Sequence, residues 1–217
     1  MEVAIKPNNK GTKRLFKNPV LEKLSRTHIA VPVTIFGFYS LALLYWSVNY
    51  TSLSIGTSLV MFVTGFIAFT WVEYHLHRHF FHMAAITQWR EKAQYVIHGV
   101  HHEFPKDKER LAMPPLLSII ISTLLLFLFR ALMGDLVFSF MPGFLIGYAY
   151  YLLIHYMVHA HQPPNNFFKI LWQNHAIHHY RNGEAVFGVT SPLWDYLYGT
   201  TYKSRSKELE IVEQKMQ

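Results

Sequence analysis

No charged residue interrupts the chain from Ile29 to Val72, a run of 44 positions that is apolar apart from one short polar stretch. A helix crossing a bilayer needs about 20 residues, so the run is too long for one crossing and fits two. The segment from Ser47 to Gly56 is its only turn-prone break, which predicts helices near 30–47 and 54–77. The pattern then repeats. Leu111 to Phe129 is uncharged, Arg130 and Asp135 bracket a turn at Gly134, and Leu136 to Phe168 again lacks Lys, Arg, Asp and Glu. Two more helices are expected near 115–132 and 137–160. All four are apolar around their whole circumference, whereas a helix in a water-soluble bundle keeps a polar outer stripe. The predicted class is all-α: a polytopic membrane protein with four transmembrane helices. Residues 1–28 read as a basic N-terminal segment, 29–202 as the membrane domain, and 203–217 as a charged tail, a surface helix or disordered. The first segment has charges throughout and no apolar core, so the first helix is expected to stay in the mature protein rather than leave with a signal peptide.

Composition sharpens this picture. Of 217 residues, 51% are hydrophobic and 15% charged, and there is no cysteine. Disulfides, thiolate zinc sites, iron–sulfur clusters and cysteine nucleophiles are excluded together, so any metal must be held by nitrogen or oxygen. The 14 histidines outnumber the 13 carboxylates, which directs attention to imidazole chemistry. The net charge of +7 owes most to the first 28 residues, where seven Lys/Arg face two Glu. That bias fits a membrane surface, and no nucleic-acid partner is expected. Lys and Arg number seven in 1–28, none in 48–53, six in 78–110, one near the 130–136 turn and six in 161–217. The positive-inside rule then places the N-terminus, the central loop and the C-terminal region in the cytoplasm. The histidines fall on that same side, in a helical cytoplasmic cap.

They are grouped as EYHLHRHFFH (73–82), HGVHH (98–102), HYMVHAH (155–161) and HAIHH (175–179). Residues at i, i+3 and i+4 share one helix face, so His98, His101 and His102 can present three imidazoles together, as can His175, His178 and His179. His155 and His159 form an i, i+4 pair. Ten imidazoles exceed what one metal can use and suit two, with about five each. An incomplete shell of that kind suits iron activating oxygen better than a closed structural zinc. In the first cluster, helical geometry alone favours His75, His79 and His82, which share a face, over His77 and His82, which lie about 140° apart.

With these residues the chain resembles the fatty acid hydroxylase superfamily of membrane di-iron oxygenases, most closely its fatty acid 2-hydroxylases. The likeness runs over roughly 70–202, through EYHLHRHFFH, HGVHHEFPKDKERLAMPP, GYAYYLLIHYMVH and NHAIHHYRNGEAVFGVTSPLWDYLYGT. The resemblance implies one metal bound by His77, His98, His101, His175 and His178, and a second by His82, His102, His155, His159 and His179. It leaves out His28, His75, His79 and His161. It implies two iron ions, with zinc an occupant of overproduced protein, and hydroxylation of a long-chain fatty acyl group at C2 by O₂. Substrates would be fatty acyl or ceramide lipids of the bilayer, and the location a bacterial inner membrane or the endoplasmic reticulum with the site facing the cytoplasm. The same chemistry on a sphingoid base, sterol or carotenoid is the alternative. A zinc-binding or metal-transport protein is a more distant one, since a transporter places ionisable ligands at the bilayer midplane.

Two departures stand out. Leu152 occupies a position, three before the HYxxH histidine, where relatives often carry Asp. Only 28 residues precede the first helix, where eukaryotic relatives commonly carry a cytochrome b5 domain, so electrons are expected from a separate protein such as cytochrome b5 or a ferredoxin. Other signals are weaker. Arg110 with Pro114 and Pro115 reads as a basic membrane entry and helix start, Trp194, Tyr196 and Tyr198 as an interfacial belt, and Glu73, Glu103, Asp107, Glu184 and Asp195 as carboxylates near the clusters, some of which can orient ligand imidazoles.

Overall fold

A computed structural model describes residues 5–203, so all but the first residue of the charged tail lies outside the described residues. Among them the secondary structure is wholly helical. The elements are α1 (Pro19–Leu24), α2 (Ala30–Tyr50), α3 (Ile55–His75), which runs on as a π-helical segment (Leu76–Phe81), α4 (Gln88–Gln94), a π-helical turn (Tyr95–Gly99), α5 (Val100–Glu103), α6 (Pro115–Met133), α7 (Val137–Ala160), α8 (Lys169–Tyr180) and α9 (Leu193–Leu197). Short 3₁₀ turns cover Lys108–Arg110 and Gly134–Leu136. Among the described residues three stretches are long and apolar enough to cross a membrane: Ala30–Tyr50, Ile55–Phe81 and Lys108–Ala160.

The chain divides into two compact units. One comprises Arg14–Trp71 and Lys108–Tyr156; the other takes residues up to Lys13, Val72–Asp107 and everything from Met157. In the first unit, α1 starts as its sequence dictates: Asn18 caps it by accepting from the Val20 and Leu21 amides, and Pro19 fills the first turn. Arg110 is buried and donates to Glu22 at 2.6 Å and to Ser25 at 3.0 Å. It ties the chain before α6 to α1.

The long helices of this unit pack as membrane helices do, through small residues and buried hydroxyls. Gly65 on α3 and Gly143 on α7 sit so close to the opposite backbone that an added Cβ would lie 2.0 Å from the Phe140 carbonyl oxygen and 1.9 Å from that of Phe62, respectively. One turn on, Gly147 accommodates Phe69, whose ring also meets Phe144 edge-on at 5.2 Å. Ser47 and Ser139 share a hydrogen bond of 2.7 Å between α2 and α7, Ser40 donates to the Pro142 carbonyl at 3.3 Å, and Tyr39 meets Thr123 of α6. The outward faces stay apolar, with Phe38, Leu124 and Leu132 each more than 60% exposed. Leu152 is fully buried on α7, packed in the core of this unit.

Candidate metal centre

Nine of the ten histidines named above lie in the second unit, where they form two clusters. His77, His82, His98, His102 and His178 each offer a ring nitrogen within 4.8 Å of the others. His101, His159, His175 and His179 do the same in a second cluster. His155 belongs to the first unit, four residues before His159 on α7. Its Nδ1–H donates to the Leu111 carbonyl at 3.2 Å and its ring stacks on Tyr151.

This division differs from the one the resemblance implies. His82 and His102 join His77, His98 and His178, while His101 and His175 join His159 and His179. Helix geometry explains the exchange. Residues at i and i+4 are about 40° apart and those at i and i+3 about 60° in the opposite sense, so a metal on one flank gathers the i, i+4 pair and leaves the third ring to the other flank. His98 and His102 accordingly approach to 2.9 Å between Nε2 atoms, and the rings of His175 and His179 lie 4.6 Å apart. His101 and His178 each turn to the opposite cluster. The two HxxHH motifs, one running from the π-helical turn into α5 and the other on α8, therefore interlock, each supplying two rings to one cluster and one to the other.

The first cluster departs from α-helical expectation for a different reason. From Leu76 the helix widens to π geometry, in which the His82 amide donates to the His77 carbonyl five residues back at 3.3 Å. Residues five apart then stand over one another, and the His77 and His82 rings lie 5.2 Å apart instead of diverging by 140°. The stripe of His75, His79 and His82 is broken by the same change. His75 and His79 stack on each other at 5.5 Å, outside both clusters. His28, His79 and His161 are exposed.

The donor set fits metal ions. A backbone carbonyl only accepts, so His77 Nδ1–H donates to Phe187 at 2.6 Å and His178 Nδ1–H to Ala185 at 2.9 Å. Each neutral ring then has its acceptor lone pair on Nε2. Those nitrogens point at other imidazoles: His77 Nε2 lies 3.1 Å from His98 Nε2, and His178 Nε2 lies 3.0 Å from His82 Nε2. In the second cluster His159 and His175 meet at 2.6 Å, and both ring nitrogens of the buried His179 lack a hydrogen-bond partner. Ring nitrogens that converge in this way can turn their lone pairs to a common cation, and neutral imidazole is the ligand form divalent transition metals prefer.

The supporting loop after α8 was not legible as such in the sequence. Val186 adopts φ 55°, a left-handed conformation unusual for a β-branched residue, and this aims the flanking carbonyls of Ala185 and Phe187 at His178 and His77. Every amide from 186 to 190 is held. Val186 donates to the Thr200 carbonyl at 2.8 Å, Phe187 and Gly188 to the two oxygens of Asp195 at 2.9 Å each, and Val189 and Thr190 to Glu73 at 2.7 and 3.1 Å. Of the five carboxylates singled out above, Glu73 and Asp195 are thus buried beneath this loop. Glu103 instead bonds Tyr95 and Lys13, and Asp107 bonds Thr12. Tyr198 stacks on Tyr74 at 5.2 Å rather than standing free in a belt.

Burial, and then the neighbouring imidazoles, hold His98, His102 and His179 well below the usual 6.5. A histidine whose folded value is depressed binds fewer protons folded than unfolded, so its contribution is complete above about pH 6.5 and is lost as pH falls below it. Metal-stripped protein is expected to lose roughly 1.4 kcal/mol per pH unit below that point for each such histidine. Thermal unfolding followed by helical circular dichroism at pH 7.5, 6.5 and 5.5 checks this. A flat profile would mean that the folded clusters accept protons.

The fatty acid hydroxylase family model matches residues 62–200. A dihydroceramide fatty acyl 2-hydroxylase of Arabidopsis thaliana is 34% identical over 90% of this chain and 83% of its own length. A second from the same plant is 37% identical over 63% of this chain, and the mouse fatty acid 2-hydroxylase 33% identical over 64%. The chain spans 58% and 39% of the lengths of those last two. The solved structure of full-length scs7p, in which only the hydroxylase domain is visible, superposes with a TM-score of 0.81 at 31% identity, covering 88% of this chain and 73% of that one.

Proposed function

The chain belongs to the fatty acid hydroxylase family, and from that premise we propose that it inserts one oxygen atom of O₂ at C2 of a long-chain fatty acyl group, free or in a ceramide. The second oxygen atom leaves as water, with two electrons from a separate carrier protein such as cytochrome b5 or a ferredoxin and two protons. The observation that carries the reading is the convergence of imidazole nitrogens in two clusters, in a chain whose relatives are named fatty acid and fatty acyl 2-hydroxylases.

His77, His82, His98, His102 and His178 would hold one iron ion. His101, His159, His175 and His179 would hold the other, with His155 added from the preceding turn of α7. When bound, the pair of irons supplies the redox chemistry needed to attack an unactivated C–H bond. The chain's own part is to fix the ring tautomers through the Ala185 and Phe187 carbonyls, to keep the nitrogens dry and unprotonated, and to hold the acyl chain among apolar helices.

In this reading the 53-residue stretch Lys108–Ala160 crosses the membrane twice. A single helix of that length would extend about 80 Å, far beyond a hydrocarbon core of about 30 Å, and the turn at Gly134–Leu136 divides it near the middle. Four crossings with Lys and Arg concentrated at one end put the histidine clusters on the cytoplasmic face of an integral membrane protein.

Expression in a host that lacks 2-hydroxy fatty acids tests the activity. With a competent electron donor, 2-hydroxy acyl lipids are expected to accumulate in the presence of O₂ and to be absent with His178→Ala. Accumulation only of sphingoid, sterol or carotenoid hydroxyl products would reassign the substrate and keep the chemistry. Absence of any hydroxylated lipid would reject the enzyme reading.

A further inference from the structure

One peptide group in the loop after α8 faces two ways. Its carbonyl, that of Phe187, accepts the Nδ1–H of His77 at 2.6 Å, and its N–H, that of Gly188, donates to Asp195 Oδ2 at 2.9 Å. Carboxylate, amide and imidazole thus form one chain of hydrogen bonds ending at the His77 ring, whose Nε2 faces the first cluster. The other oxygen of Asp195 accepts from the Phe187 amide at 2.9 Å and from the Thr200 hydroxyl at 2.7 Å. Each of these partners donates, so the ionised carboxylate is the form that satisfies them. Asp195 is completely buried, and hydrogen bonds in a low-dielectric interior polarise one another more strongly than in water.

We propose that Asp195 is a positioning residue for the first metal cluster, acting on His77 through the Phe187–Gly188 peptide. Metal-bound histidines commonly donate their second N–H straight to a carboxylate, which fixes the ring and strengthens it as a donor. Here a backbone amide is interposed. The carboxylate draws on the amide hydrogen, the carbonyl oxygen becomes more negative, and the imidazole beyond it becomes a better electron donor to a cation. The same residue secures the second ring less directly. Its backbone carbonyl accepts the Thr200 amide at 2.9 Å, the Thr200 carbonyl accepts the Val186 amide at 2.8 Å, and the peptide of that amide carries the Ala185 carbonyl that holds His178. That second path uses only main-chain atoms and survives replacement of the Asp195 side chain.

Glu73 provides the contrast. It accepts from Val189, Thr190 and the Thr190 hydroxyl, so it anchors the same loop without touching a peptide that faces a ligand. Gly188 reports on the close approach, because a Cβ there would lie 2.9 Å from Asp195 Oδ2 and 2.2 Å from the Ser191 carbonyl oxygen.

This inference rests on the two-metal reading above, and zinc alone as the probe separates the two. Full-length protein in detergent is stripped, reloaded with zinc and titrated against a chelator. Wild type is expected to hold two zinc ions per chain. Asp195→Asn, which must turn an amide N–H toward a donor, is expected to weaken one of them by 10- to 100-fold, the range for lost outer partners of metal ligands. In a His179→Ala background the remaining ion should be weakened by Asp195→Asn, and in a His102→Ala background it should not. Glu73→Gln and Thr200→Val, which loosen the loop but leave the relay, should stay within about threefold of wild type, the uncertainty carried by single contacts. If Asp195→Asn does not accumulate as folded protein, Asp195→Ser, a smaller side chain that also removes the carboxylate charge, takes its place with the same expectation. Wild-type protein holding fewer than two zinc ions would overturn both readings. Two tightly held ions in Asp195→Asn, equal weakening of both, or equal weakening by Glu73→Gln would overturn the role of Asp195 alone.

Discussion

Alanine in place of His77, His82, His98, His101, His102, His155, His159, His175, His178 or His179 is expected to abolish lipid hydroxylation, while His75→Ala, His79→Ala and His161→Ala keep a substantial part of it. The expected loss is large because a missing first ligand leaves the metal short of a bond and turns the remaining lone pairs toward a void. Affinity at the damaged cluster should fall by more than about 100-fold, beyond the effect of losing an outer partner. Product analysis joined to elemental analysis checks this. The inactive variants of the second unit should retain about one ion per chain rather than none, because each leaves the other cluster its rings. Exchange of roles in the first cluster, with His75→Ala inactive and His77→Ala active, would show that the π-helical segment does not select the ligands. His75 is the informative control: its ring lies two residues from His77 yet stacks on His79 and meets Tyr198 edge-on.

The second large effect concerns the helix contact, far from the chemistry. Gly143→Ala is expected to destabilise the protein by about 3 kcal/mol, the upper part of the range for overpacking, because the obstructing atom is the Phe62 carbonyl oxygen at 1.9 Å and backbone cannot rotate aside. Gly65→Ala meets the Phe140 carbonyl oxygen at 2.0 Å and should cost a similar amount. Against a total stability of 5–15 kcal/mol the double variant is expected to fail to fold. Gly37→Ala is the matched control, since nothing lies within 4 Å of its added methyl, and it should gain up to about 1 kcal/mol from better helix propensity. Unfolding in a graded series of denaturing detergent compares the three single variants with wild type, and the yield of folded protein checks the double variant. Equal midpoints for Gly143→Ala and Gly37→Ala would mean that α3 and α7 separate easily.

The close approach of α3 and α7 has a visible sequence signature, the pair Gly143 and Gly147 at GxxxG spacing. It was missed because hydropathy reads the number and length of apolar segments and ignores which residues are small. The orienting loop had less to offer a reader of sequence. Ala185 and Phe187 act through their carbonyls, which every residue possesses, and Val186 takes a conformation that its side chain argues against.

The sequence by itself determined the all-helical class, because runs of apolar residues too long for a strand and apolar on every side have no other way to satisfy their backbone in lipid. It also identified the histidine groups, since HxxHH places its rings on one helix face wherever the helix goes. It did not determine which imidazoles share a cluster. That depended on where α5 and α8 meet, on which flank of each helix faces which cluster, and on the widening of one turn after His75 that brings His77 over His82. Helical periodicity is a local property and is written in the spacing of residues. The partition of nine rings between two clusters is a relation among segments as far apart as residues 77 and 178, and only the tertiary structure decides it.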